Sequence, residues 1–251
     1  MPLNQGSGLP APWMQSKENK AITVIEEWLD SCSGNGYISV SGGKDSLVVA
    51  ELAVLVKPDI PLVWVNQGEL AEWEDSIELL QYWRSALGRN LIELCPPRSL
   101  WKLYEDYGLP LEETMNNKID KAINQKLLYD PLDEWGELNR VEGYAMGIRA
   151  EESSGRKKRM KSYNTLHFNK GNQLWSCCPI GWWKVENVWQ FIDRHRVLYP
   201  AFYDRDRKTV RNGCPIGTTG INRGRLADLR ANHFEYWSKL IAKYPYLSAY
   251  C

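Results

Sequence analysis

Ser41-Gly42-Gly43-Lys44-Asp45-Ser46 places two glycines, a lysine, a carboxylate and two hydroxyls in six consecutive positions. Adjacent glycines let the main chain turn sharply and approach an anion without side-chain interference. Lys44 adds a full positive charge, and the hydroxyls of Ser41 and Ser46 can donate to phosphate oxygens. Residue types in this pattern suit the binding of a polyphosphate. Asp45 would be repelled there unless it held a cation, so a magnesium ion between Asp45 and the phosphates is expected. The loop is not a Walker A motif. The position five before Gly43 is Ile38, and Asp45 follows the lysine where that motif has Ser or Thr.

A loop of this kind needs a strand before it and a helix after it. Tyr37-Ile38-Ser39-Val40 reads as the strand, and Leu47 to Val54 opens a helix whose dipole and first amides point at the anion. Pro58 and Pro61 bracket the entry to a second strand, Leu62 to Val65. Its carboxyl end, Asn66-Gln67-Gly68-Glu69, would face the same crevice. Helical spacing through Ile77, Leu80, Trp83 and Leu87 ends at Gly88, and Asn90 to Leu94 reads as a third strand. Gly143 to Arg149 reads as a strand carrying Arg149 out of its end. Leu174 to Pro179 holds a short strand with the adjacent Cys177 and Cys178, and Gly181 to Ile192 reads as an amphipathic helix. Ahead of all this, residues 1–16 read as an arm rich in Pro, Gly and polar residues. Ser16 is expected to cap a helix carrying Ala21, Ile22, Ile25, Trp28 and Leu29. Residues 99–140 read as a helical insertion or lid. The main domain is expected over 17–240 and a C-terminal tail over 241–251.

The chain has 251 residues, with 31 basic and 31 acidic side chains, so formal charge balances and bulk attraction to nucleic acid is excluded. Any such contact needs a local patch. Arg156, Lys157, Lys158 and Arg159 offer one, read as a loop leaving the same edge as the phosphate loop, with an ordinary solvated face as the alternative. Arg205, Arg207, Lys208, Arg211, Arg223, Arg225 and Arg230 add basic side chains later in the chain. No apolar run approaches the length of a membrane span, and the first 20 residues have no signal-peptide core, so a cytoplasmic protein is expected. Six cysteines at irregular positions argue for thiol chemistry or burial rather than a disulfide framework.

The hexamer Ser41 to Ser46 resembles the PP-loop of ATP pyrophosphatases. Its order with Gly147-Ile148-Arg149-Ala150-Glu151-Glu152-Ser153, Pro179-Ile180-Gly181-Trp182-Trp183 and Leu198-Tyr199-Pro200-Ala201-Phe202-Tyr203-Asp204 is similar to the phosphoadenosine phosphosulfate reductase family of the adenine nucleotide α-hydrolase superfamily. The resemblance covers about residues 20–240 and implies an α/β fold: a doubly wound parallel sheet with a helical insertion and a C-terminal helical region. It implies that Ser41, Gly42, Gly43, Lys44, Asp45 and Ser46 hold ATP phosphates, that Val40 and Val65 flank the adenine, and that Gly147 and Arg149 meet the nucleotide. Lys44, Asp45 and Arg149 are then the expected catalytic set, with ATP and magnesium as cofactors. Members with an iron–sulfur cluster use a Cys-Cys pair and a later Cys-x-x-Cys. Here Gly217 stands where the fourth thiolate would be, so a cluster is not expected. The chain also ends at Cys251 without the Glu and His that accompany the nucleophilic cysteine of sulfonucleotide reductases. The expected activity is therefore adenylylation of an acceptor with pyrophosphate release, in support of sulfur transfer. The resemblance extends to DNA phosphorothioation components, which implies DNA and a cysteine desulfurase as partners in a homo-oligomer or heterocomplex. Cys177, Cys178 or Cys214 would relay the sulfur. Alternatives are a sulfonucleotide reductase using Cys251 and an inactive nucleotide-binding regulatory subunit, the latter suggested by Asn66.

Overall fold

The structure is a computed structural model and describes residues 12–69, 71–109, 118–204, 207 and 225–250. The chain divides into two compact units, one formed by residues 1–64, 75–94 and 135–210, the other by 65–74, 95–134 and 211–251.

The first unit is built on a six-stranded sheet, β1 (Gly36–Val40), β2 (Leu62–Val65), β3 (Leu91–Leu94), β4 (Gly143–Met146), β5 (Leu166–Asn169) and β6 (Leu174–Cys177), in the spatial order β3-β2-β1-β4-β6-β5. β1 runs parallel to β2 and to β4, and β4 runs parallel to β6. The chain steps outward from β1 through β2 to β3, then returns to the other side of β1 as β4. The direction of winding therefore reverses between β1 and β4, and in open α/β sheets ligands bind beyond the carboxyl ends of strands at such a reversal.

α2 (Lys44–Val56) follows β1 and is apolar on nearly every side, with Leu47, Val48, Val49, Ala50, Leu52 and Ala53 all fully buried. A helix hydrophobic all round has to be interior, and α2 accordingly lies against α1 (Pro12–Ser31) and α8 (Val185–His195). Its burial fixes the first turn, which carries Lys44 and Asp45. At the opposite end of the two central strands, Gly36 pairs with Gly143. A Cβ on Gly36 would lie 2.4 Å from Cζ2 of Trp28, and one on Gly143 would lie 2.7 Å from its Nε1. The fully buried indole of α1 thus lies across both glycines.

Four local expectations are corrected. α1 begins at Pro12, so Ser16 is inside the helix and does not cap it. Proline suits a first helical position because its missing N–H is unpaired there anyway. The basic run is not a loop but part of α7 (Ser154–Tyr163), started by Ser153, whose side chain accepts from the Arg156 amide. A strand absent from the sequence reading, β5, pairs antiparallel with β6. α8 starts at Val185, four residues later than expected, with the Lys184 amide held by the Asn187 side chain at 3.0 Å. The expected arm falls outside the described residues over 1–11.

The second unit is helical. α4 (Leu100–Tyr107) is capped by Ser99, whose hydroxyl accepts from the Lys102 amide at 3.3 Å. α5 (Lys118–Asn124) runs through a π-helical turn, Gln125–Tyr129, into α6 (Asp130–Leu138). Helices over Arg225–Asn232 and Phe234–Lys243 follow. Trp73 stacks on His233 at 3.9 Å between ring centroids, and Lys239 and Lys243 pair with Glu69 and Glu105. No helix of the described residues is long and apolar enough to cross a membrane.

Candidate active site at the reversal of the sheet

The carboxyl ends of β1 and β4 supply the two halves of the site, both within the first unit. After Val40 the chain turns through Gly42, whose φ of 69° is the left-handed conformation that glycine adopts without strain. Ser46 closes the loop from within: its hydroxyl donates to the Gly43 carbonyl at 2.8 Å and accepts from the Ser41 amide at 3.1 Å. Ser41 Oγ lies 3.2 Å from the same hydroxyl. Ser46 is therefore a brace that shapes the loop rather than a hydroxyl turned outward. Gly43 precedes α2 and offers no side chain to cap it, which leaves the Asp45 and Ser46 amides of the first turn without a cap from that residue.

β4 ends against this turn. A Cβ on Gly147 would lie 2.5 Å from both the Asp45 carbonyl carbon and the Ser46 nitrogen, so the absence of a side chain lets the two segments meet. Gly147, expected at the nucleotide, packs directly against the loop. Two residues on, Arg149 is only 4% exposed. Its Nε donates to Asp45 Oδ1 at 2.6 Å, its Nη1 to Glu151 at 2.7 Å, and its amide to Glu152 at 2.9 Å. Among the described residues no acceptor is bonded to Nη2. Burial works against the guanidinium charge, but Asp45, Glu152 and Glu151 outweigh it and hold the group protonated more firmly than usual. Lys44 Nζ lies 3.1 Å from Asp45 Oδ2. Asp45 therefore spans the two cations, one on each oxygen.

Tyr203, from the segment after α8, completes the site and was not expected from sequence. Its hydroxyl accepts from the Lys44 amide at 3.3 Å, and its ring centroid lies 5.4 Å from Lys44 Nζ. Burial pushes its phenol up to about 12, so it is a neutral hydroxyl at physiological pH. Trp189 packs edge-on against Tyr203 and carries Arg207 over its own ring at 4.7 Å. The available signal was the aromatic density of Trp189, Tyr199 and Tyr203, which in sequence reads as a turn segment behind a helix.

The remaining expected residues do not all come together. Val40 and Val65 end β1 and β2 and are buried. Asn66 accepts from the Gly68 amide at 3.1 Å, shaping its own loop. Cys177 is fully buried in β6 with its thiol near the Val24 carbonyl of α1, and burial pushes that thiol well above its ordinary value. Cys178 turns the other way, into a cluster with Ala150 and Met160, and burial raises it to about 11. Sulfur relay needs an accessible thiolate, so neither cysteine fits that role. Cys214 and Cys251 lie outside the described residues. In α7, Arg156 pairs with Glu152 and Arg159 reaches Ser176 at 3.3 Å, while Lys157, Lys158 and Lys161 face outward. Among the later basic residues, Arg230 is exposed, Arg207 is stacked on Trp189, and Arg205, Lys208, Arg211 and Arg223 lie outside the described residues.

The magnesium expected between Asp45 and a nucleotide's phosphates meets an Asp45 that is already engaged in this structure. Both oxygens of Asp45 already carry protein cations. Among the described residues no group of three or more His, Cys, Asp or Glu side chains is placed to hold a metal ion.

A glycine-rich loop and an opposed arginine thus meet at the reversal of an α/β sheet, an arrangement that suits phosphate oxygens. The phosphoadenosine phosphosulfate reductase domain matches residues 35–219, and the chain belongs to that family. It is 24% identical over 229 residues to an adenosine 5′-phosphosulfate reductase of Halalkalibacterium halodurans, covering 90% of this chain and 91% of that one. It is 25% identical over 238 residues to an uncharacterised protein of Methanocaldococcus jannaschii, covering 93% of this chain but only 54% of that relative's length. The fold is shared with a phosphoadenylyl-sulfate reductase from Candida auris, at a TM-score of 0.59 and 14% identity over 82% of this chain and 98% of that one.

Proposed function

We propose that this chain is an ATP pyrophosphatase that adenylylates an acceptor so that a sulfur nucleophile can then displace AMP. The observation that carries the reading is the convergence of Lys44 and Arg149 at the glycine-led start of α2. An acceptor oxygen attacks the α-phosphorus, the bond to the bridging oxygen breaks, and pyrophosphate leaves with the negative charge. Lys44 and the first amides of α2 suit that departing charge. Arg149 suits the α-phosphoryl oxygens, since a planar fork binds two oxygens and Nη2 has no partner among the described residues. Catalysis on this reading is positioning and charge neutralisation. A magnesium ion would travel on the nucleotide's own phosphates rather than on a resident carboxylate.

DNA is the acceptor we favour, approached over the outward lysines of α7, with sulfur delivered by a cysteine desulfurase because the described cysteines near the sheet are buried. The second reading is sulfonucleotide reduction. It is favoured by the named activity of the Halalkalibacterium halodurans relative, which the match spans almost end to end. The experiment is pyrophosphate and AMP release from ATP, run beside sulfite release from adenosine 5′-phosphosulfate with reduced thioredoxin, using wild type, Lys44→Ala and Cys251→Ser. Pyrophosphate release abolished by Lys44→Ala is the expected result. Sulfite release that is lost in Cys251→Ser, without pyrophosphate, would replace the first reading by the second.

A further inference from the structure

The loop that would receive phosphate contains its own anion. Asp45 sits in the first turn of α2, where a carboxylate is favoured by the helix dipole, and it holds Lys44 and Arg149 through separate oxygens at 3.1 and 2.6 Å. These groups are shielded from water, with side chains 9%, 13% and 5% exposed for Lys44, Asp45 and Arg149. Around them, Arg149 also pairs with Glu151, and Glu152 pairs with Arg156. Lys44, Arg149 and Arg156 thus meet Asp45, Glu151 and Glu152, and the cluster is electrically balanced before any ligand arrives.

We infer that Asp45 is a resident counter-anion that a ligand's phosphoryl or sulfuryl oxygens must displace from Lys44 and Arg149, and that it thereby sets how much negative charge the site accepts. This inference rests on the nucleotide reading above. A dianion entering beside Asp45 meets an extra like charge in a poorly solvated place, where charge–charge terms are strong. With its main chain held in the first turn of the buried α2, Asp45 gives up its two partners by a change of side-chain rotamer, and they then bond the ligand. Glu151 remains on Nη1 and also accepts from the Val185 amide at 2.7 Å, so Arg149 stays aimed while its Nε is handed over. A metal-ligand role for Asp45 predicts the opposite response to loss of its charge.

The test is equilibrium binding of adenosine 5′-phosphosulfate and of ATP to the full chain, as wild type and as Asp45→Asn, in EDTA and in magnesium at matched ionic strength. Asp45→Asn is expected to bind adenosine 5′-phosphosulfate in EDTA at least about tenfold more tightly than wild type, and wild-type affinity for it is expected to be indifferent to magnesium. Equal or weaker binding by Asp45→Asn overturns the inference, as does a magnesium-dependent gain in wild type that the variant loses. If wild type binds the nucleotides and Asp45→Asn is not tighter, the inference fails alone. If neither protein binds either nucleotide, the nucleotide reading fails with it. A second measurement needs no folded Asp45 variant. The Arg149 Nε–H resonance, assigned by its loss in Arg149→Lys, is expected to shift when wild type is saturated with ligand, and an unmoved resonance overturns the exchange.

Discussion

Replacing Gly147 by alanine adds one methyl group where the structure leaves no room. The new Cβ would stand 2.5 Å from the carbonyl carbon of Asp45 and from the nitrogen of Ser46, and 2.7 Å from the Asp45 oxygen. All three are main-chain atoms of a helix start, so relief requires moving the end of β4 or the first turn of α2. Forcing extra volume into packed structure costs roughly 1–3 kcal/mol, and backbone on both sides puts this case near the top, at about 3 kcal/mol. For a domain of 150–250 residues each kcal/mol lowers Tm by roughly 2–4 °C, so a fall of ~6–12 °C is expected. Asp45 and Arg149 sit on the two segments being pushed apart, and nucleotide affinity should fall with stability. The matched control is Gly155→Ala in α7, where the nearest atom is Ser153 Oγ at 4.0 Å. A helical glycine with space around it gains roughly 0.5–1 kcal/mol on becoming alanine. Scanning calorimetry and nucleotide titration on both variants decide the matter. If Gly147→Ala melts within a degree of wild type and binds nucleotide as well, β4 does not press on the loop in the way these distances require.

Burial raises the Cys178 thiol to about 11, so folding favours its protonated form. Stability is therefore full below the ordinary thiol range near pH 9 and is lost as pH rises toward 11, by about 3 kcal/mol at most. Urea titrations at pH 8 and 10.5 should show this loss reduced in Cys178→Ala, and an unchanged pH dependence would count against it. Tyr203→Phe removes the acceptor of the Lys44 amide and should cost roughly 0.5–1.5 kcal/mol of stability while leaving the ring contact with Lys44 in place. Glu151→Ala removes the acceptor shared by Arg149 Nη1 and the Val185 amide, and the expected result is nucleotide binding weakened about tenfold, through loss of Arg149's aim, with little change in fold by circular dichroism. Triple charge reversal at Lys157, Lys158 and Lys161 should reduce the salt slope of DNA binding by roughly 0.9 for each phosphate no longer neutralised. An unchanged slope would exclude α7 as the DNA-facing element.

Sequence reasoning reached the central strands and the loop because their signals are local. An apolar run, a Gly-Gly turn and an apolar helix stand next to one another from Tyr37 to Val54. It missed β5 because Leu166 to Asn169 has only two apolar residues in four, and its pairing with β6 depends on the polar turn between them. The basic run looks like a loop in sequence because α7 has one buried apolar residue, Met160, and no apolar stripe to betray a helix. The architecture of the site was less legible than its residues. Asp45 meets Arg149 across 104 positions, and Lys44 meets Tyr203 across 159. The residue types alone were enough to expect a cationic partner for the Asp45 carboxylate. Only the fold shows that the chain itself brings cations to both of its oxygens.

The indole laid across Gly36 and Gly143 divides labour along one pair of strands. At that end β1 and β4 are plugged, and enlarging either glycine means shrinking Trp28 in compensation. At the other end the same two strands run into the turns around Gly42 and Gly147, beside which Lys44, Asp45 and Arg149 are paired. Substitutions at 28, 36 and 143 should therefore change together across related chains and report on foldedness, while those at 44, 45 and 149 vary with the ligand. The tryptophan end locks the two strands together, and the lysine end holds their charged groups.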